Sequence, residues 1–382
     1  MKIKEIASHI RERVPSTSIR ADDYVSTDNM RPNFGGIEPS PSLPPSGNVT
    51  AYQEGDILLS NIRPYFRKTW LATHGGGCNA DVLCIRANPD KCLPKYLYYL
   101  FTTDNFVNDY LKSCKGAKMP RGDIQRLLDY EFNLPDLPTQ LRIAGVLGSI
   151  DEKIELNRKK IAELEALAKT IYDYWFVQFD FPDKNGKPYK SSGGKMVWNE
   201  QLKRNVPEGW EAVPLESLLA RLPATKRLPT DEYGIDGEFP IVDQSETFIA
   251  GYSSDQSAVL SLPKCVVFGD HSCTVKMVNF PFCRGADGTQ ILVSNDESVI
   301  STYQLYLYVE HLKFDGQYKR HFSFLKQHLI PFKRTLCLGQ AFSDVIEPAF
   351  DSIRNCREAI RLLIRERDTL LPLLMNGQVE VG

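Results

Sequence analysis

Two stretches of this sequence collect positive charge without acid. The first is Lys112-Ser113-Cys114-Lys115-Gly116-Ala117-Lys118-Met119-Pro120-Arg121. The second is Gly316-Gln317-Tyr318-Lys319-Arg320-His321-Phe322-Ser323-Phe324-Leu325-Lys326. Lysine and arginine neutralise phosphates, while glycine and aromatic residues let a backbone come close. Lys115, Lys118 and Arg121 in the first run, and Lys319, Arg320 and His321 in the second, are therefore candidate contacts to a nucleic-acid backbone. One such patch is explained by a solvated loop; two at equivalent positions point to paired DNA contacts. A third run, Asn61-Ile62-Arg63-Pro64-Tyr65-Phe66-Arg67-Lys68, carries Asn and Arg, which suit bidentate reading of adenine and guanine edges. Asn61, Arg63, Tyr65, Arg67 and Lys68 are candidates there, with His271 and Lys276, just after Asp270, as counterparts further on. An ordinary polar loop at a strand end accounts equally well for this third run.

Signals for catalysis are poor. The chain has no N-P-P-F or D-P-P-Y type motif and no G-x-G after a strand, which argues against a methyltransferase pocket. Gly75-Gly76-Gly77 opens no helix and lacks the lysine of a phosphate-binding loop. The six histidines show no ligand spacing, so no metal and no cofactor are expected. Pro135-Asp136 followed by Asp151-Glu152-Lys153 imitates a metal-dependent nuclease pattern. The second part of that pattern falls on a predicted helix, where residues two apart point to different faces and do not converge on one metal.

That helix is one of a pair. Ile143, Leu147, Ile150, Ile154, Asn157, Ile161, Leu164, Ala168, Ile171 and Trp175 alternate steps of three and four, a heptad seam. Phe342, Ile346, Ala349, Ile353, Cys356, Ile360, Leu363, Arg367, Leu370 and Leu374 repeat it at one offset, 342 − 143 = 199. Each seam follows a segment of strand-like runs and turns, so the chain reads as unit, helix, unit, helix. Asp56-Ile57-Leu58-Leu59-Ser60 and Asp81-Val82-Leu83-Cys84-Ile85 in the first unit are echoed by Cys265-Val266-Val267-Phe268-Gly269 and Gly288-Thr289-Gln290-Ile291-Leu292-Val293. A short helix is expected over residues 94–111, and Pro138-Thr139 opens the first long helix with Thr139 as its cap. The Gly-, Pro- and Ser-rich stretch after it reads as a linker. A duplicated chain suits a partner that is itself repeated, and duplex DNA is the obvious one.

Composition sets the outer bounds. The 382 residues allow two or three domains, and a 42% hydrophobic fraction supplies well-buried cores. A net charge of −2 means that any DNA binding comes from local patches rather than from a polycation. The nine cysteines include no C-x-x-C pair and sit in apolar stretches, so they read as reduced core thiols. With no apolar leader and no stretch of membrane-spanning length, a cytoplasmic protein without a membrane association is expected.

Several motifs in order resemble the specificity subunits of type I restriction–modification systems. They are Phe179-Asp180-Phe181-Pro182-Asp183 through Lys195-Met196, the restart Val206-Pro207-Glu208-Gly209-Trp210, the end Arg367-Asp368-Thr369-Leu370-Leu371-Pro372-Leu373-Leu374-Met375-Asn376-Gly377, and the opening Tyr24-Val25-Ser26-Thr27-Asp28-Asn29-Met30. The resemblance spans essentially the whole chain. It implies an α+β fold with a pseudo-twofold internal repeat: two mixed α/β target recognition domains separated by two long antiparallel coiled-coil helices. The expected boundaries are 1–138 and 210–336 for the recognition domains, 139–178 and 337–382 for the spacer helices, and 179–209 for the linker. It also implies a non-catalytic subunit that reads a bipartite double-stranded DNA target and docks two modification (methyltransferase) subunits, with restriction subunits joining through the complex. A departure from the pattern is visible in the second helix, where Cys356 and Arg367 fill core slots. A stand-alone DNA methyltransferase or nuclease, and a scaffold without DNA binding, are the competing readings.

Overall fold

The computed structural model describes residues 1–116, 118–223, 225–314, 321–334 and 337–379. It divides into two compact units. Unit 1 holds Met1–Leu156 with the chain from Ala359 onward, and unit 2 holds Asn157–Glu358.

The described residues of unit 1 form the strands β1 Ala7–Ile10, β2 Arg13–Pro15, β3 Tyr24–Val25, β4 Asn48–Tyr52, β5 Ile57–Ser60, β6 Thr69–Leu71, β7 Gly76–Cys78 and β8 Val82–Ala87. They form two four-stranded sheets, ordered β1-β8-β5-β6 and β2-β4-β7-β3. The strands β5 and β8 are buried almost throughout, as their unbroken apolar runs require. Residues 94–111 form two helices rather than one, α1 Pro94–Thr102 and α2 Asp104–Lys112. Thr103 is extended between them and its side chain accepts from the Phe106 amide, so a capping hydroxyl restarts the helix. A short α3, Ile124–Leu128, follows the first basic run.

Unit 2 repeats much of this. After the hairpin β9 Met196–Asn199 and β10 Arg204–Pro207 come β11 Glu211–Pro214, β12 Phe239–Val242, β13 Gly251–Ser253, β14 Val259–Leu260, β15 Cys265–Gly269, β16 Val275–Val278, β17 Phe282–Arg284, β18 Thr289–Leu292 and β19 Leu329–Phe332. The order β16-β15-β18 reproduces β6-β5-β8, and β14-β17-β12, antiparallel then parallel, reproduces β4-β7-β3. The edges differ. In unit 1 an extra strand, β2, flanks β4, whereas in unit 2 the extra strand β13 flanks β12 on the other side. Residues 179–209, rich in turn formers, are ordered: Phe179 and Phe181 pack on Trp210 inside the main core of unit 2.

The two long helices are α4 Leu137–Tyr172 and α7 Leu338–Met375; between them in sequence lie α5 Thr302–His311 and α6 His321–Gln327. The cap of α4 is Asp136, not Thr139: the Asp136 carboxylate accepts the Thr139 amide at 3.0 Å. Aspartate reaches the open amides of a helix start from outside the first turn, which a hydroxyl already inside the helix cannot do. In unit 1, Ile143 and Leu147 share a core with Leu371 and Leu374; in unit 2, Trp175 and Phe176 meet Phe342 while Glu165 meets Arg357. In both places rising numbers on one helix face falling numbers on the other, so α4 and α7 run antiparallel. Burying each of the Ile, Leu and Phe side chains among these contributes roughly 1.5–3 kcal/mol. The seam is tight at its ends and half-buried at Asn157, Ile161, Leu164, Ile360, Leu363 and Leu370, while Ile150, Ile154, Ile346 and Ile353 are buried. Cys356 is buried in its slot, and Arg367 is accommodated by a carboxylate: it donates to Asp151 at 3.1 Å, where Tyr99 also donates at 2.6 Å.

All nine cysteines are free, as expected, although Cys337 is exposed rather than in a core. No helix among the described residues is long and apolar enough to cross a membrane.

Candidate nucleic-acid interface

Unit 1 brings together two candidate runs that lie about fifty residues apart. The Arg63 amide donates to the Pro120 carbonyl, the Gly122 amide donates to the Asn61 carbonyl, and the Tyr110 hydroxyl donates to Asn61 Oδ1 at 2.6 Å. The Lys115 and Arg121 backbones pair, each amide donating to the other's carbonyl at 3.0 Å. Lys112, Lys115, Lys118 and Met119 are exposed, and the three lysines have no carboxylate partner among the described residues. Arg121 is held by Asp81 at 2.8 Å, which leaves it less charge to offer a phosphate.

Residues 61–68 form a stiff turn. Arg63 and Arg67, at φ 49° and 54°, bracket the helical turn Pro64–Phe66 in the left-handed region, which non-glycine residues enter only when their surroundings hold them there. What holds them is the loop after β3: the amides of Asn33 and Phe34, themselves left-handed, donate to the carbonyls of Phe66 and Arg67. The turn presents Tyr65 and Phe66, 49% and 40% exposed, with ring centroids 4.7 Å apart. Arg67 pairs with Asp104 at 2.7 Å, and Arg63 Nε is buried without a partner. Lys68 is half-buried, and its ammonium donates to the Thr27 carbonyl at 2.6 Å and so ties down the loop after β3.

Unit 2 builds the same frame. The amide of Asp270 donates to Gly288 as that of Asn61 does to Asp81, and the His321 amide donates to the Asp270 carbonyl as Gly122 does to Asn61. Its lysine clamp is deeper. Lys276 is 5% exposed; its ammonium donates to the carbonyls of Asp243, at 2.9 Å, and Thr247, and lies 3.9 Å from the Asp243 carboxylate. Burial pushes its pKa down to about 8, with the Asp243 charge pulling the other way. The expectation that Lys276 contacts DNA is therefore corrected: a desolvated ammonium spent on loop carbonyls cannot also meet a phosphate. His321 is likewise interior, at the start of α6 and edge-on to Phe314. His271 is exposed on the loop after β15, next to Gln244. Lys319 and Arg320 lie outside the described residues.

Sequence reasoning missed the loops that these lysines hold, residues 26–38 and 243–250. The usable signal was the setting of Lys276 between Val275, Met277 and Val278 in an apolar strand, where a lysine needs an internal partner. The nuclease-like residues are spent elsewhere: Asp136 caps α4, Asp151 serves Tyr99 and Arg367, and Glu152 pairs with Lys95.

Two mixed modules of one design, each joined to a long helix, define a duplicated recognition protein. The family model for the type I restriction modification DNA specificity domain matches residues 1–166. The chain is 26% identical over 363 residues to the type I restriction enzyme MjaIX specificity subunit of Methanocaldococcus jannaschii, covering 87% of this chain and 80% of that protein. It is 29% identical over 136 residues to the HindI specificity subunit of Haemophilus influenzae, 34% of this chain and 29% of that one. Its fold is similar to that of the S subunit of a type I restriction–modification system from M. genitalium, with a TM-score of 0.60 at 15% identity over 98% of this chain and 95% of the other. Along most of its length the chain is thus similar to specificity subunits of type I restriction–modification systems, and its first 166 residues match their DNA specificity domain.

Proposed function

We propose that this chain reads a bipartite duplex DNA sequence, one half with each unit, and contributes no catalytic residues of its own. The observation that carries this is the doubled frame: in each unit a lysine fixes the loop after the parallel strand beside the turn after the central strand. A fixed pair of loops suits reading base edges, where misplacing a donor forfeits the hydrogen bond. The exposed lysines at 112, 115 and 118 supply sequence-independent attraction beside the loops of unit 1. Methylation and cleavage then belong to partner chains, two modification subunits docking along α4 and α7 and restriction subunits joining the complex. Selection from a random duplex library by the full chain with its methyltransferase partner tests this. The expected product is two short specified halves around a gap of fixed length; a single contiguous site, or none, contradicts it.

A further inference from the structure

Unit 2 shows a link between a long helix and a loop that the DNA reading does not itself require. The loop after β12 is pinned at its start, where Lys276 holds the Asp243 carbonyl and Asp243 accepts from Tyr233 and from the Ser245 amide. It is pinned again at Phe248, whose ring carries the Arg357 guanidinium 3.7 Å from its centroid. Arg357 projects from α7 and is fixed in turn by Glu165 of α4 at 2.8 Å. Between the pins lies Gln244. Its carbonyl accepts from the hydroxyls of Ser272 and Thr274 at 2.6 and 2.8 Å, and its side chain accepts from the His271 amide and donates to the Asp287 carbonyl.

We propose that Gln244 reads a base edge in the half-site of unit 2, and that Arg357 is the positioning residue that sets its loop from the helix pair. This rests on the DNA-recognition reading. A glutamine amide has two N–H donors and two acceptor lone pairs; Asp287 and His271 take one of each, which fixes the amide plane and leaves one N–H and one lone pair for the donor–acceptor edge of adenine. The neighbouring acids favour a base contact over a phosphate contact. Glu246 is exposed and Asp287, although paired with Arg227, is 95% exposed, so backbone phosphates are repelled here while base edges are not. The stacked guanidinium is planar and held on both sides, so it transmits the position of α4 and α7 to Phe248.

The test uses the full chain with its methyltransferase partner and the same duplex-library selection. The variants are Gln244→Ala, Arg357→Ala and Arg357→Lys, with thermal denaturation reporting folding. Gln244→Ala is expected to relax one position of one half by tenfold or more. Arg357→Ala is expected to relax that same half about tenfold and leave the other half unchanged, and Arg357→Lys to restore part of the selectivity. Equal loss in both halves, or unchanged selectivity in folded Gln244→Ala and Arg357→Ala proteins, overturns the proposal. A wild-type complex that enriches no sequence overturns the underlying DNA reading as well, and so is told apart from failure of the loop assignment alone.

Discussion

The two units share a frame and differ in what they show on it. Both clamp the loop after the parallel strand with a lysine, but unit 1 adds a run of exposed lysines and two exposed aromatic rings, while the described face of unit 2 is polar and acidic around Gln244. The same split recurs at the long helices. Where unit 1 places Asp151 against Arg367, the repeat offset gives unit 2 Phe350 (151 + 199) and Ala168 (367 − 199), both in its apolar core. Duplication thus preserves backbone geometry, which hydrogen bonds dictate, and lets side-chain chemistry diverge wherever packing or a ligand can change partners.

The largest expected effect falls on the basic run of unit 1, the sharpest difference between the units. Reversing Lys115 and Lys118 to Glu is expected to weaken binding to every duplex and to reduce the salt slope by about 0.9 for each phosphate no longer neutralised, without changing the preferred site. Reversal of Arg121, already paired with Asp81, is expected to do less. Fluorescence anisotropy across a salt series reads both, and an unchanged slope removes the basic run from the interface.

Next in size is the ion pair that unit 2 lacks. Arg367→Ala leaves the Asp151 carboxylate mostly buried with only Tyr99 as partner, an expected loss of about 2 kcal/mol. Removing both charges in Asp151→Ala/Arg367→Ala is expected to cost less than the single change. Urea denaturation decides: additive losses would mean that the two residues do not act as a pair.

The long helices were legible in the sequence because their period of three and four survives any ligand chemistry, and the strands β5, β8, β15 and β18 because they are apolar runs. The fold class follows from those elements. The site was legible only in part. Residues 61–68 and 112–121 stand out by composition, yet nothing in the sequence says that Arg63 and Pro120 share a hydrogen bond. Nothing in the sequence says that Lys68 and Lys276 serve the Thr27, Asp243 and Thr247 carbonyls, because only the fold supplies those partners. Gln244, Phe248 and Arg357 carry no motif; they meet only through long-range packing.

The smallest effect concerns the clamp in unit 2. Because burial holds Lys276 at about 8, below the ordinary lysine value of about 10.4, the unfolded chain binds the extra proton between those values. Stability contributed by this group is therefore expected to rise with pH across that window. Thermal midpoints of the wild type and Lys276→Met from pH 7 to 10 check the sign, and a falling difference contradicts it.

The central claim is that the length of the long helices fixes the gap between the two halves of the target. Within α4 the seam from Ile143 to Ile171 has 171 − 143 = 28 helical steps, which at about 1.5 Å each is roughly 42 Å of helix. Adding one heptad after Leu164 and another after Leu363 keeps the apolar seam in register while lengthening it. Methylome sequencing of a host carrying the altered subunit with its partners is then the direct measurement. The account predicts that both half-site sequences persist and the gap between them changes; methylation confined to the original gap would contradict it.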